Sequence, residues 1–298
     1  MKWPKRLSRD ERKFSERPVL IHALEGFLGA GSAPRIVADY FANTEGEVLY
    51  SFDVDNYLDY RARRPLISFS EDHYEDYAVP SLDLVLKHDL GGRPYLLLAG
   101  PEPDFRWEMF IEELHGLVEQ YHVSLTLGLG SVPMGVPHTR PLLITSHGTR
   151  PELVDRKNLW QASVIVPSSA QALLEYRLGE MGHDAAGYVV HVPHYLAQVD
   201  YPTAAIALID AVSDRTGLRF DLDELRLRQG ATMADIEQQI VAQDGGALLA
   251  GLEEQYDAFS RGAAESLLAE DSELPSGEEL GQQFEQFLAN MNRGDDHD

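Results

Sequence analysis

Cysteine is missing from all 298 residues, which removes disulfides, thiolate metal sites and a cysteine nucleophile from consideration. No apolar run approaches the roughly 18 residues of a membrane span. The opening stretch, MKWPKRLSRDERKF, carries charge where a secretory signal carries its apolar centre. Basic residues are scarce too: 25 Lys and Arg stand against 49 Asp and Glu, a formal net charge of −24. Phosphate contacts need a basic face, so nucleic acid is not an expected partner. A cytoplasmic protein without membrane contact is expected.

What is present is enough apolar residue, 44%, to bury one large core with an appendage. The charge is unevenly spread. Residues 1–17 hold 7 basic against 3 acidic residues, whereas residues 221–298 hold 19 acids against 4 Lys or Arg. Three parts follow: a basic N-terminal segment (1–17), a core domain (18–220) and an acidic C-terminal extension (221–298).

Within the core, short apolar runs bounded by Gly or Pro alternate with helical patterns. Strands are expected at 19–24, 47–52, 95–100, 124–130, 141–147, 162–167 and 187–193, with further strands at 66–70 and 82–90. Helices are expected at 32–43, 106–121, 168–181 and 202–216, the third opening on a serine cap. Near-continuous apolar strands between helices imply a sheet covered on both faces, a three-layer α/β/α core with some antiparallel strands. After residue 220 only helical periodicity remains. In its last segment Leu280, Phe284, Phe287 and Leu288 share one face.

Ligands of open α/β sheets bind beyond the carboxyl ends of the strands, and the loops expected there carry most of the distinctive polar residues. After the first strand comes LEGFLGAGS, with Glu25, Gly26, Gly29 and Gly31. The glycine spacing is G-x-x-G-x-G rather than the dinucleotide fingerprint G-x-G-x-x-G. Asp53 lies 22 residues beyond Gly31, where a ribose-binding acid would sit, and keeps a nucleotide reading open. Glu25 beside a phosphate would oppose it. The alternative is a tight strand-to-helix turn that lets the backbone pass close to a neighbour.

The second loop holds Asp53, Asp55, Tyr57, Arg61 and Arg64. Its arginines could clamp phosphate or carboxylate bidentately, or pair with the acids beside them. Ser131 follows a glycine pair at a strand end, with His138 and His147 downstream, but the G-x-S-x-G elbow is absent. His138 and Arg140 in GVPHTRP echo the histidine and arginine of SHGTRP; either set could bind an anion or pin its loop. His191 and His194 flank a Val-Pro pair at a strand end, a spacing that does not converge on a metal there. Neither a metal nor a cofactor is expected.

Together ALEGFLGAGSAPRIVADYF, GLGSVPMGVPHTRP, SHGTRPEL and HVPHYLAQVDYPTAA resemble the proteasome assembly chaperone two family, in its longer bacterial branch. The resemblance implies a phosphorylase/hydrolase-like α/β/α fold and a homo-oligomer, with a trimer as the natural case. For the eukaryotic members it implies a role in building the proteasome core. It carries no family-wide catalytic residue onto this chain. The chain closes on GDDHD, without the hydrophobic-tyrosine-any tripeptide by which such chaperones dock on proteasome rings. Any contact of that kind is then expected from the acidic extension. A non-enzymatic, chaperone-like or scaffold protein is the expected function. The alternative is an enzyme or small-ligand binder that uses the strand-end rim for a phosphorylated or nucleoside-like compound.

Overall fold

The apolar runs assemble as one mixed sheet, seen in a computed structural model that describes residues 16–154, 163–242 and 245–268. The strands are β1 (Val19–Glu25), β2 (Glu47–Ser51), β3 (Ser68–Ser70), β4 (His73–Glu75), β5 (Asp83–His88), β6 (Pro94–Pro101), β7 (Leu125–Met134), β8 (Ile144–Gly148) and β9 (Ala185–Pro193). Seven of them form a sheet in the order β2-β5-β6-β1-β7-β9-β8, and β3 pairs only with β4. β6, β1, β7 and β9 run parallel. β5 and β8 run against them, and β2, antiparallel to β5, shares their direction.

Side chains alternate across a strand, and β1 divides the core accordingly. Ile21 and Ala23 join one apolar cluster with α1 (Ala33–Ala42) and α4 (Pro202–Thr216), while Leu20 and Leu24 join another with α2 (Trp107–Gln120) and α3 (Ala170–Glu180). The result is the expected three-layer α/β/α fold. α5 (Asp223–Ala242) adds Leu225 and Ile236 to the first cluster, so the acidic extension begins by packing on the core. α6 (Gly246–Leu268) follows it. No helix among the described residues is long and apolar enough to cross a membrane. The face of Leu280, Phe284, Phe287 and Leu288, and most of the basic segment, lie outside the described residues.

Two expectations need correction. Residues 163–167 are not a strand: they find no partner in the sheet, and Val164, Ile165 and Val166 face outward. An apolar, β-branched run satisfies the local pattern, but a strand also needs a neighbour to take its backbone hydrogen bonds. The run at 66–70 does hold a strand, yet that strand belongs to a separate exposed hairpin rather than to the buried sheet.

Candidate functional site

The carboxyl ends of β1, β2, β6, β7 and β9 open on one rim, and the glycine turn after β1 lies at its centre. Gly31 has a φ of +65°, a conformation suited to glycine. Its N–H donates to the Ala197 carbonyl at 2.8 Å, and its carbonyl accepts the Tyr201 N–H at 2.9 Å. A Cβ there would lie 3.1 Å from both Val192 and Tyr201. Gly29 has an ordinary φ of −125° and bridges to Ser131 of β7. The turn therefore stitches β1 to β7 and to the segment after β9.

A residue that sequence reasoning missed brings a carboxylate against the glycine turn and the start of α3. Glu102, just after β6, is only 7% exposed. One of its carboxylate oxygens accepts the Phe27 N–H of the glycine turn at 3.0 Å, and the other accepts the Ala170 N–H, in the first turn of α3, at 2.6 Å. Its own N–H donates to the Glu25 carbonyl at 2.9 Å. Turn amides and helix N-termini are ready-made anion sites; here the anion is part of the chain. A Cβ on Gly26 would fall 1.8 Å from the Glu102 carboxylate, so this glycine makes room for that carboxylate. The signal in the sequence was a lone acid in PEPDFRW, with nothing to say which amides it would meet.

Glu25 is half-buried, and burial raises its carboxyl above the ordinary range, helped by nearby Asp39. In the next loop Asp53 accepts from Asn56 at 3.0 Å and Asp55 from the Tyr60 hydroxyl at 2.6 Å. Tyr57 is buried in the second cluster, its hydroxyl bonded to Glu113 and its carbonyl accepting the Asp104 and Phe105 amides. It organises the loop from beneath. Arg63 reaches inward to Asp104 and to the Glu102 carbonyl. Arg61 and Arg64 point outward, with no side-chain hydrogen bond or ion pair among the described residues.

Ser131 is buried, and its hydroxyl donates to the Ala30 carbonyl at 2.6 Å. His138 is buried beside Tyr195: the tyrosine oxygen accepts the His138 backbone N–H at 2.9 Å and lies 2.7 Å from Nδ1. The tautomer of His138 sets which of the two donates in this second contact. Burial lowers the His138 pKa and raises that of Tyr195 to about 12. Arg140 turns away from the rim to α6, where it meets Asp257 and Glu253. His194 is exposed and packs edge-on against Tyr195, ring centroids 5.4 Å apart.

His147 is not at the rim. The antiparallel direction of β8 sets it opposite Gly187, halfway down the sheet, where Nδ1 lies 2.8–2.9 Å from the Glu175 carboxylate. The residues after it, including Arg150, continue to the opposite end of the sheet and meet Asp184. No group of three or more potential ligands able to hold a metal occurs among the described residues.

Residues 23–240 match the model of the PAC2 family. No curated protein matched the chain. Among solved structures it is similar to Rv2714 of Mycobacterium tuberculosis, a protein of unknown function, at 45% identity and a TM-score of 0.77 over 82% of this chain and 86% of that one. A Corynebacterium glutamicum protein of unknown function aligns at 32% identity and a TM-score of 0.78, over 83% and 93% of the two chains. Rv2125 of M. tuberculosis, described as a proteasome-assembly chaperone homologue, shares the fold at 24% identity and a TM-score of 0.69, over 74% and 95%. With a family model matched over residues 23–240 and two relatives above 30% identity aligned along more than four fifths of its length, the chain belongs to the PAC2 family.

Proposed function

We propose that this protein is a non-enzymatic, chaperone-like scaffold that works through protein–protein contacts, and that it self-associates, with a trimer as the first expectation. The observation that carries the reading is Glu102. It takes up the amides that an anionic substrate would use, while the Ser131 hydroxyl and His138 Nδ1 are bonded within the chain. Nucleophilic chemistry needs a hydroxyl within reach of a free base, and neither group is free in that sense. The description of Rv2125 as a proteasome-assembly chaperone homologue supports a protein partner of that class.

A second reading, a phosphorylated or nucleoside-like compound at the rim, draws on the outward-facing Arg61 and Arg64. Two measurements separate them. Affinity capture from the native cell should recover proteasome subunits in constant proportion to this chain. Calorimetric titration with ATP, NAD and nucleosides should show no binding tighter than about 10 μM, the range of a −7 kcal/mol interaction. A tighter nucleotide with no co-purifying protein would favour the second reading.

A further inference from the structure

One row crosses the middle of the sheet from β1 to β8: His22 pairs with Gly128, Gly128 with Gly187, and Gly187 with His147. Each glycine makes room for an imidazole. A Cβ on Gly128 would lie 2.7 Å from the His22 ring, and one on Gly187 would strike the His147 ring. α3 lies over this glycine floor, and Gln171 and Glu175, one helical turn apart, face it together. The Gln171 amide nitrogen would be 3.2 Å from a Cβ on Gly128, and a Glu175 oxygen 3.1 Å from one on Gly187. The seam under α3 is therefore polar. Gln171 hydrogen-bonds the His22 ring, and Glu175 meets His147 Nδ1 at 2.8–2.9 Å.

The two imidazoles have unequal partners. His147 has a carboxylate to meet a positive charge, whereas His22 has an amide, which cannot neutralise one. His22 is 2% exposed, and its Nδ1 finds no hydrogen-bond partner among the described residues. Leu98 is its neighbour on β6, and the apolar cluster on that face adds Phe110 and Leu114 of α2. The titratable group acting on it is His147, behind which stands Glu175 of α3. Burial lowers the His22 pKa from 6.5 to about 4, the Gln171 bond opposing and His147 assisting. His191, on the same face of β9, bonds Thr145 of β8.

α3 is also lightly held. Its buried apolar residues are Ala170, Leu174 and Leu178, against five on α2. Arg177 ties it to Glu108 of α2 at the exposed surface, where an ion pair adds little. Ahead of it residues 163–167 pair with no strand among the described residues, and behind it Gly182 turns with a φ of +79°. We infer that α3 is an acid-released latch: when His22 takes up a proton, α3 swings off the glycine floor while the sheet stays folded. Its Ala170 amide, which holds one oxygen of Glu102 at 2.6 Å, leaves with it, so the change inside the sheet reaches the glycine turn through Glu102 and Phe27. Closed α3 favours the neutral ring. Closure is therefore complete above pH 6.5 and weakens as pH falls towards 4.

The test is hydrogen exchange of the full chain, read by mass spectrometry on peptides within 170–180 and corrected for the intrinsic pH dependence of exchange. From pH 7 to pH 5 the protection of α3 should fall about twentyfold, as for one proton taken up between 6.5 and 4. At both values α3 should be less protected than α1 and α4, which open only with the whole core. His22→Gln removes the titrating ring, and Gln171→Glu gives the ring a carboxylate. In each, with folding confirmed by circular dichroism, the fall should vanish. The latch is overturned if α3 exchanges no faster than α1 and α4, if it keeps its protection at pH 5, or if either variant shows the full fall. Should His22→Gln fail to fold, Gln171→Glu alone decides.

Discussion

Arg140 holds Asp257 through two parallel bonds, Nε to Oδ1 and Nη2 to Oδ2, each 2.8 Å long. The same guanidinium reaches Glu253 at 3.2 Å, and the Tyr256 hydroxyl donates to the Pro141 carbonyl at 2.8 Å. α6 is thereby fastened to the loop after β7 by polar contacts, those of Arg140 half-buried.

Loss of that fastening should free α6 without unfolding the core. In Arg140→Ala, amides 246–261 should exchange faster with solvent while the melt of the sheet stays close to that of the parent. Arg140→Lys should behave similarly, because an ammonium cannot form the planar fork. The Arg140 hydrogen bond holds the Asp257 carboxyl below its ordinary value of 3.8. The stabilisation is therefore fully present above that value and lost as pH falls through the lower folded one. Hydrogen exchange by mass spectrometry checks both expectations, and unchanged protection in 246–261 would count against them.

Glu102 should be costly to remove. Its loss leaves the Phe27 and Ala170 amides without their acceptor, and Glu102→Ala should destabilise the fold by about 3 kcal/mol. Gly26→Ala should also destabilise, because the added methyl falls on the same carboxylate. The double variant should cost somewhat less than the sum, since removal of the carboxylate relieves the 1.8 Å contact while the Cβ of residue 102 still lies 2.6 Å from the added methyl. Urea denaturation of the four proteins gives the cycle; strict additivity would sink this account.

The two later glycines should differ. Gly31→Ala forces a side chain into a positive φ beside Val192 and Tyr201, with an expected cost above about 1 kcal/mol. Gly29→Ala has a permitted φ and meets only the Gly26 carbonyl, at 3.0 Å, so it should cost less. Equal losses, measured by thermal or urea melts, would contradict the backbone argument.

Acid should weaken the core through its buried histidines. Burial lowers His22 and His191 to about 4, from a usual value of 6.5. Between those values the unfolded chain binds protons that the folded chain refuses, so stability falls as pH drops from 6.5 towards 4. At 1.36 kcal/mol per pH unit for each group, the two together cost about 4 kcal/mol by pH 5. Urea midpoints at pH 7, 6 and 5 should show the decline, and His22→Gln should flatten it. A slope unaffected by that substitution would remove His22 from the explanation.

Local chemistry made much of the fold legible. The runs at 19–24 and 95–100 are strands because a buried sheet is the only place for continuous apolar chain with such short length and glycine or proline borders. Ser169 caps α3 by accepting the Ala172 N–H at 3.0 Å, a bond between close neighbours that any context would permit. The rim was legible in part, since loops that follow parallel strands come out at one end.

Direction and partnership were decided only by the tertiary structure. Val164 to Val166 have the composition of a strand but no neighbour to pair with. His147 left the rim because β8 runs antiparallel, a choice made by sheet pairing rather than by its five residues. Glu102 meets Phe27 and Ala170 across 75 and 68 residues of chain. Spacing along a sequence determines periodicity, caps and turns, because these depend on neighbours. Which acid fills which cradle depends on contacts that exist only once the layers have packed.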